Sequence, residues 1–497
     1  MMLWWQNIPF FTIMLCLFSA ALCSVLSWKA ARIWTLSVLG LCSAGGIILL
    51  TVFRYTGASQ FVFSMGHFPA PWGNEIRAGQ LEAFLASLFP LIMLCALSGG
   101  CGDLLISSRK TSKNLYHALC LLLTSSLLSQ IYSNDLFTCY VFLEIMTLTA
   151  CALIISRESG HALAAGMRYM VLNMVGSGLF LLGIALLYDL TGHLLMEPLH
   201  EHVQTLYSSG DYRRSLALIL AVMTVGLCIK SALFPFHSWV PDAYSSGFPS
   251  SNAILSSLVS KGYIVLLLKL FIRVFGWDLI LFSGINHLLL CFAMAGMIIG
   301  SLAAFRSDHL LRMTAWSSVS QIGYIFLGIG LGADHGYEAA LFHLTVHSLS
   351  KSLLFLSGAF LIRFSGSGKL SLLQGSARNH KTAGICWTIG AFSIVGLPFT
   401  GGLVSKYLLG EAALHHSAPV ALLTLLVLAL STFLNVLYFL RTVLSLWSPS
   451  RENAVPDESA HHLSGVFSCS VLAFLVFLSF FAATPFLSVL RQGLEQF

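Results

Sequence analysis

Residues 215–244 read SLALILAVMTVGLCIKSALFPFHSWVPDAY. The stretch is lipid-soluble as far as Ile229; then Lys230 appears, the chain breaks at Pro235, and His237 follows just past the break. Lipid forces backbone groups to pair within a segment, so a continuous apolar run is a helix. A charged group at the centre of such a helix costs at least ~2.5–3.5 kcal/mol. A membrane helix that carries a lysine and then breaks therefore needs a reason, and the rest of the chain supplies one.

The whole sequence agrees with that segment. Of 497 residues, 57% are hydrophobic and only 9% charged, with a mean hydropathy of +0.84. Soluble domains carry about 25% charged residues. A spanning helix needs ~20 apolar residues, and 14 candidate runs are present: 8–27, 32–53, 82–106, 115–132, 134–155, 164–189, 213–234, 251–272, 277–304, 310–331, 337–362, 382–409, 415–445 and 463–490. The third is weakened by LSGGCGD at 97–103. The fold class is thus an all-α integral membrane protein with about 14 transmembrane helices. The longest polar stretches, about 54–80, 190–212 and 448–462, are too short to build a core, so no soluble domain is expected.

Loop charges set an orientation. The loops after odd-numbered runs hold Lys29, Arg32, Arg109, Lys110, Lys113, Arg157, Arg306, Arg312, Arg363, Lys369, Arg378, Lys381, Arg441 and Arg451. Even loops and the C-terminal end hold only Arg54, Arg77, Arg213, Arg214, Arg273 and Arg491. Odd loops are expected in the cytoplasm, with both termini outside. The net charge of +6 is this bias, not a nucleic-acid footprint, and no nucleic-acid partner is expected. The 12 cysteines are scattered singly, without C-x-x-C spacing, so neither an iron–sulfur cluster nor structural zinc is expected. The N-terminus reads as an uncleaved first span, since it lacks a basic region and a small-residue cleavage site.

The break at Pro235 has an echo. SIVGLPFTGGLVSKY, residues 393–407, interrupts the twelfth run at Gly396, Pro398, Gly401 and Gly402. Two broken helices five runs apart match the signature of inverted repeats. The division expected is 1–110 for helices 1–3, 111–272 for a first five-helix repeat, 273–445 for a second, and 446–497 for the last helix, with helices 7 and 12 broken.

Several ionisable residues lie deep in apolar runs: Glu144, Lys230, Lys261, His343, His347 and Lys406, with Lys351 ending the histidine series. A glutamate or lysine at that depth is a functional candidate by default. Lys269 and Arg273, at the end of the eighth run, and Arg168, near the start of the sixth, read instead as snorkelling or structural ion-pair residues. Burial disfavours a charged lysine and a nearby carboxylate favours it. A lysine held between those effects can load and release a proton, so Glu144 and Lys230 form a candidate proton valve. His343, His347 and Lys351, spaced i, i+4, i+8, line one face of a helix. Neutral histidine accepts on one nitrogen and donates on the other, which suits relay; a metal site or a purely structural pair are the alternatives. SSVSQIGY, residues 317–324, offers further hydroxyls.

At these residues the chain resembles a family. IKSALFPFHSWVPDAY (229–244), WSSVSQIGYI (316–325), LFHLTVHSLSKSLLFL (341–356) and GLPFTGGLVSKYLL (396–409) resemble the antiporter-like membrane subunits of respiratory complex I, Mrp Na⁺/H⁺ antiporters and membrane-bound hydrogenases. The resemblance covers about 110–445. It implies 14 helices with two inverted repeats and both termini outside. It implies that Glu144 and Lys230 are the paired glutamate and lysine of helices 5 and 7, that His237 is the histidine after the break, and that Lys261 is the bridging lysine of helix 8. His343 and His347 match the central relay, and Lys406 the exit lysine. The chain departs from the family at PDAYSSGFPSSN (241–252), where Tyr244 replaces a common histidine, and at SDHLLRMTA (307–315), where only Arg312 of a basic run remains. Lysine at 406 argues against the branch that uses glutamate there, and the chain ends too soon after its last run for the largest branch. The D-type member of an Mrp antiporter, or its equivalent in a hydrogenase or complex I, is the implied type.

The function expected is translocation of protons, or of Na⁺ in exchange for protons, by one subunit of a larger complex in a bacterial or archaeal cytoplasmic membrane. Partner subunits would supply the driving force, and no cofactor is expected on this chain. A quinone-holding oxidoreductase subunit lacks a ligand set here, a stand-alone transporter lacks a substrate-sized polar site, and an inert anchor does not explain the buried charges.

Overall fold

The computed structural model describes residues 4–57, 60–64, 74–107, 110–332, 335–449 and 463–495. Arg109 and Arg451 of the loop tally, and most of the polar stretch 448–462, lie outside them. Each of the fourteen apolar runs contains helix. Eleven helices among the described residues are long and apolar enough to cross a membrane. The three remaining runs are segmented or polar: 251–272 is widened by a π turn at Leu255–Val259, 310–331 carries Ser317, Ser318, Ser320 and Gln321, and 382–409 breaks after Val395.

Local chemistry sets the helix ends. Ser27, Asp135 and Ser159 cap the starts of Trp28–Thr56, Leu136–Ile155 and Gly160–Thr191 by accepting backbone N–H groups. Gly57 and Gly192 close two of these helices in the left-handed region. The two broken helices stop alike. Arg213–Ser231 ends on Ala232 at φ +65°, and Lys381–Val395 ends on Gly396 at φ +84°; the chain resumes as helix at Phe236 and Gly401.

The Gly336–Ser365 helix is the axis of the molecule. Some 83% of its apolar window is buried, against 33% for Ser464–Phe481 at the periphery. It packs against Leu310–Leu331, both halves of the second broken helix, Pro249–Val259 and the Leu463–Phe481 helix. Every side chain from Tyr337 to Ala359 on it is buried within the protein.

Several sequence expectations need correction. LSGGCGD does not interrupt the third run, which is one helix, Gln80–Ser107. A Cβ at Gly100 would come 2.6 Å from the Ser250 backbone, so glycine is there for close helix approach. The last run, 463–490, is two helices: Leu463–Phe481 and the amphipathic Ala483–Glu495, whose Arg491 donates to both oxygens of Glu338 at 2.9 and 2.8 Å. That ion pair keeps the Arg491 guanidinium charged above its usual range. Polar stretch 54–80 holds an antiparallel hairpin, Gln60–Ser64 with Glu75–Gly79, and 190–212 holds the Met196–Ser209 helix.

Lys269 and Arg273 have structural partners. Lys269 donates to the carbonyls of Gln130, Ile131 and Ser133, capping the Lys110–Tyr132 helix. Arg273 pairs with Glu82, both side chains 3% exposed, and Glu82 also accepts the Gly79 N–H at 3.0 Å. Arg168 pairs with Asp242, which also faces Arg312 at 3.4 Å. Removing one partner of a buried ion pair costs about 3–5 kcal/mol. Glu82→Gln should therefore lower the thermal unfolding temperature of the purified protein by several degrees, as read by scanning calorimetry. An unshifted transition would contradict the structural role of the pair.

Candidate functional site

The first half of the site sits where Leu136–Ile155, Gly160–Thr191 and Arg213–Ser231 meet. Gly176 and Gly226 set the last two helices backbone to backbone: a Cβ on Gly176 would lie 2.8 Å from the Gly226 carbonyl oxygen and 3.2 Å from Lys230 Cγ. Lys230, with a 0% exposed side chain, occupies the last turn before the break. Its Nζ lies 4.0 Å from Glu144 Oε1 and donates to Thr147 Oγ1 at 2.8 Å. Glu144 and Thr147 are three residues apart on one helix, so they share a face. Thr147 gives its own proton to the Leu143 carbonyl and lies 3.0 Å from the Tyr263 hydroxyl, which is 3.5 Å from that of Tyr169. The Lys230 ammonium also stands over the Tyr263 ring, 5.3 Å from its centroid. The Glu144 side chain is 20% exposed, so the pair is open only on the carboxylate side.

His237 is not brought onto Lys230. It lies past the break, its ring 5.3 Å from that of Phe234 and 5.6 Å from that of Trp316, and its Nδ1 has no partner among the described residues.

Lys261 is in the middle, 0% exposed. It follows the π turn Leu255–Val259, a feature frequent at functional sites. Its Nζ donates to the Ser256 carbonyl and to Ser260 Oγ at 3.2 Å. The Pro249–Val259 segment just before it packs against the Gly336–Ser365 helix, which carries His343, His347 and Lys351.

The second half runs along Gly336–Ser365. The His343 and His347 rings are nearly parallel, 6.1 Å apart. His343 Nδ1 is 2.9 Å from Ser405 Oγ, and its ring stacks on Tyr324 at 5.4 Å. His343 Nε2 and both His347 nitrogens have no hydrogen-bond partner among the described residues. Lys351 donates to the Thr314 carbonyl at 2.9 Å and to Ser317 Oγ. Lys406, half-buried, donates to the Val395 carbonyl at 2.7 Å, at the end of the broken helix, and stands 5.3 Å from the Tyr324 centroid. The geometric neighbours of the histidine pair are the Ser405 hydroxyl and the Tyr324 ring, neither of them a strong metal ligand. No group of three or more metal-binding side chains converges among the described residues.

The structure brings Glu144 to Lys230 and His343 to His347, and among the described residues no hydrogen bond joins any two of the site residues directly. Buried hydroxyls lie beside these residues, among them Thr147, Tyr263, Ser317, Ser405 and the Ser256–Ser318 pair at 3.0 Å. Thr147, Tyr263 and Gly176 were not singled out by sequence reasoning. The spacing of Thr147 from Glu144 is the one signal that could have found any of them.

Comparison with known proteins places this arrangement. Residues 133–432 match the family model described as NADH:quinone oxidoreductase/Mrp antiporter, TM. The chain belongs to this family. It is 33% identical over 378 residues to the N subunit of the NADH-quinone oxidoreductase of Desulforudis audaxviator, covering 76% of this chain and 73% of that one. It is 25% identical over 458 residues to the D subunit of the Na(+)/H(+) antiporter of Alkalihalophilus pseudofirmus, covering 91% and 90%. Its fold matches, with a TM-score of 0.86 each, a polypeptide of an archaeal membrane-bound sulfane sulfur reductase (24% identity) and a polypeptide of the Mrp complex from a Dietzia species (22%). Each match covers 99% of this chain and 97% of the other. This family member is a multi-pass membrane protein with both the quinone-reductase and the antiporter branches among its relatives.

Proposed function

We propose that this chain moves protons across the membrane as one subunit of a larger assembly of Mrp-antiporter or complex I type. The observation that carries the reading is an imbalance of charge. Lys230, Lys261, Lys351, His343 and His347 are buried and Lys406 is half-buried, and Glu144 is the one carboxylate paired with any of them among the described residues. Lys269 shows that a buried lysine without a carboxylate serves structure when three helix-end carbonyls accept from it; the lysines of the proposed route instead flank two histidines with unbonded nitrogens among the described residues, and each unpaired buried charge costs several kcal/mol. The imbalance is tolerable when few of these groups are protonated at once, and that is the condition for passing a proton along them.

Protons enter at Glu144 and Lys230, with His237 at the mouth of the break. They pass Lys261, then Lys351, His347 and His343 in turn along one helix, and leave by Lys406, which shares the Tyr324 ring with His343. Hydroxyls and water close the gaps between them. Amines and imidazoles carry protons, whereas Na⁺ is bound by oxygen ligands, so any Na⁺ exchanged moves elsewhere in the assembly. The division into two inverted repeats, with the boundaries at 110, 272 and 445, supplies one lysine-bearing broken helix to each half. The loop charges put both termini outside a bacterial or archaeal cytoplasmic membrane. Neighbouring membrane subunits couple the movement to redox chemistry or to a Na⁺ gradient. Relatives named as subunits of such complexes support this reading.

His347 tests it within the route. In the whole complex, His347→Leu removes both nitrogens and keeps an apolar side chain on a fully buried face. Proton movement in sealed vesicles should fall by about 10²-fold, the low end for loss of a proton-transferring group, with assembly unchanged. Wild-type movement in that variant would remove the histidines from the route.

A further inference from the structure

The two halves of the route treat their lysines differently. Lys230 has Glu144 at 4.0 Å. Lys406 has no carboxylate partner among the described residues; it has the Val395 carbonyl and the face of Tyr324. The distance from ammonium to ring centroid, 5.3 Å, is the same as for Lys230 over Tyr263. A cation within about 6 Å of an aromatic centroid is attracted to the ring face, more strongly where water is excluded.

Tyr324 is fully buried, and its ring is held from several directions. Its hydroxyl lies 3.2 Å from Thr432 Oγ1 and accepts from Asn435 Nδ2 at 3.4 Å. Asn435 is fixed in turn: its Oδ1 accepts from Tyr438 at 2.7 Å and from Ser301 at 3.2 Å. The same ring stacks on His343 at 5.4 Å, with 23° between the planes. One aromatic side chain therefore touches both the imidazole and the ammonium, and a tethered hydroxyl fixes its plane.

We propose that Tyr324 is the positioning residue of the second half, holding Lys406 by its ring face alone, whereas Lys230 has both the Tyr263 face and the Glu144 carboxylate. The inference rests on the proton-carrying reading above. The chemistry differs in one respect that matters for release. A carboxylate both attracts the ammonium and competes for its proton. A ring face attracts the ammonium and has no site for the proton, so Lys406 keeps its place beside His343 while its proton stays free to leave.

The test uses the whole complex in sealed vesicles, with residue 324 varied. Tyr324→Phe keeps the ring but unties it from Thr432 and Asn435, and should lose clearly less transport than Tyr324→Leu. Replacing residue 324 with phenylalanines bearing one, two and three fluorines empties the ring face of charge with little change of shape. Transport should then fall stepwise, reaching about tenfold or more. The same series at Phe326, buried on the same helix, serves as the control and should be flat. A flat series at 324, with Lys406→Ala inactive, would show that the ring only packs and would overturn the proposal. An equal loss in Tyr324→Phe and Tyr324→Leu would place the effect in the hydroxyl and overturn it too. Full transport in both Lys406→Ala and His347→Leu would instead overturn the underlying relay, and the proposal with it.

Discussion

Lys261→Leu should stop proton movement without weakening the protein. Lys261 is fully buried, has no ion-pair partner among the described residues, and spends its protons on the Ser256 carbonyl and Ser260 Oγ of its own helix. Replacing such a lysine with an apolar residue removes a desolvation cost, and substitutions of this kind are often neutral or stabilising. The lost hydrogen bonds return only about 1 kcal/mol each. The unfolding temperature of the complex should therefore stay level or rise. Transport should fall by about 10²-fold or more, because Lys261 is the buried lysine between the Glu144–Lys230 pair and the helix that carries both histidines and Lys351 in the proposed route. Stability and activity moving apart in this way is the signature of a functional buried charge. A variant that loses both together would make Lys261 a structural residue.

The second large effect belongs to Lys230. Lys230→Ala leaves Glu144 without its cation and Thr147 without its donor. The Glu144 side chain is 20% exposed and can protonate or turn outward, so the complex should still assemble. Lys230→Arg separates charge from proton exchange. Arginine keeps the cation beside Glu144 but holds its proton at any working pH. If Lys230 were an anchor for Glu144, arginine would substitute for it. In a relay, arginine is as inactive as alanine, and both should fall about 10²-fold or more. The close contact of Gly176 with the Lys230 stem limits how arginine fits, so assembly of that variant is to be measured alongside.

Much of this was legible in the sequence for physical reasons. Lipid admits long apolar runs only as helices, so fourteen runs announced the helices. A charge at depth is costly, so Glu144, Lys230, Lys261, His343, His347, Lys351 and Lys406 stood out from the loop charges. The breaks at Pro235 and Gly396 announced themselves through residues that cannot continue a helix. What stayed hidden depends on contacts between helices. LSGGCGD resembled an interruption because a glycine pair weakens an isolated helix; only the Ser250 backbone beside Gly100 explains it. The cap that Lys269 provides to Lys110–Tyr132 joins residues more than a hundred positions apart. The ring of Tyr324 under Lys406 is likewise a meeting of two helices. The division of the last run at Phe481 turns on the amphipathic pattern of a helix held by Glu338, a partner outside any local window.

The measurement that tests the central claim most directly is proton movement by the whole complex in sealed vesicles, driven by its redox reaction or by an imposed Na⁺ gradient. Wild type and Lys230→Ala are compared at matched amounts of assembled complex. The relay predicts that the variant assembles and moves almost no protons. Proton movement at the wild-type rate in Lys230→Ala would contradict it, and would leave the buried lysine as part of the scaffold.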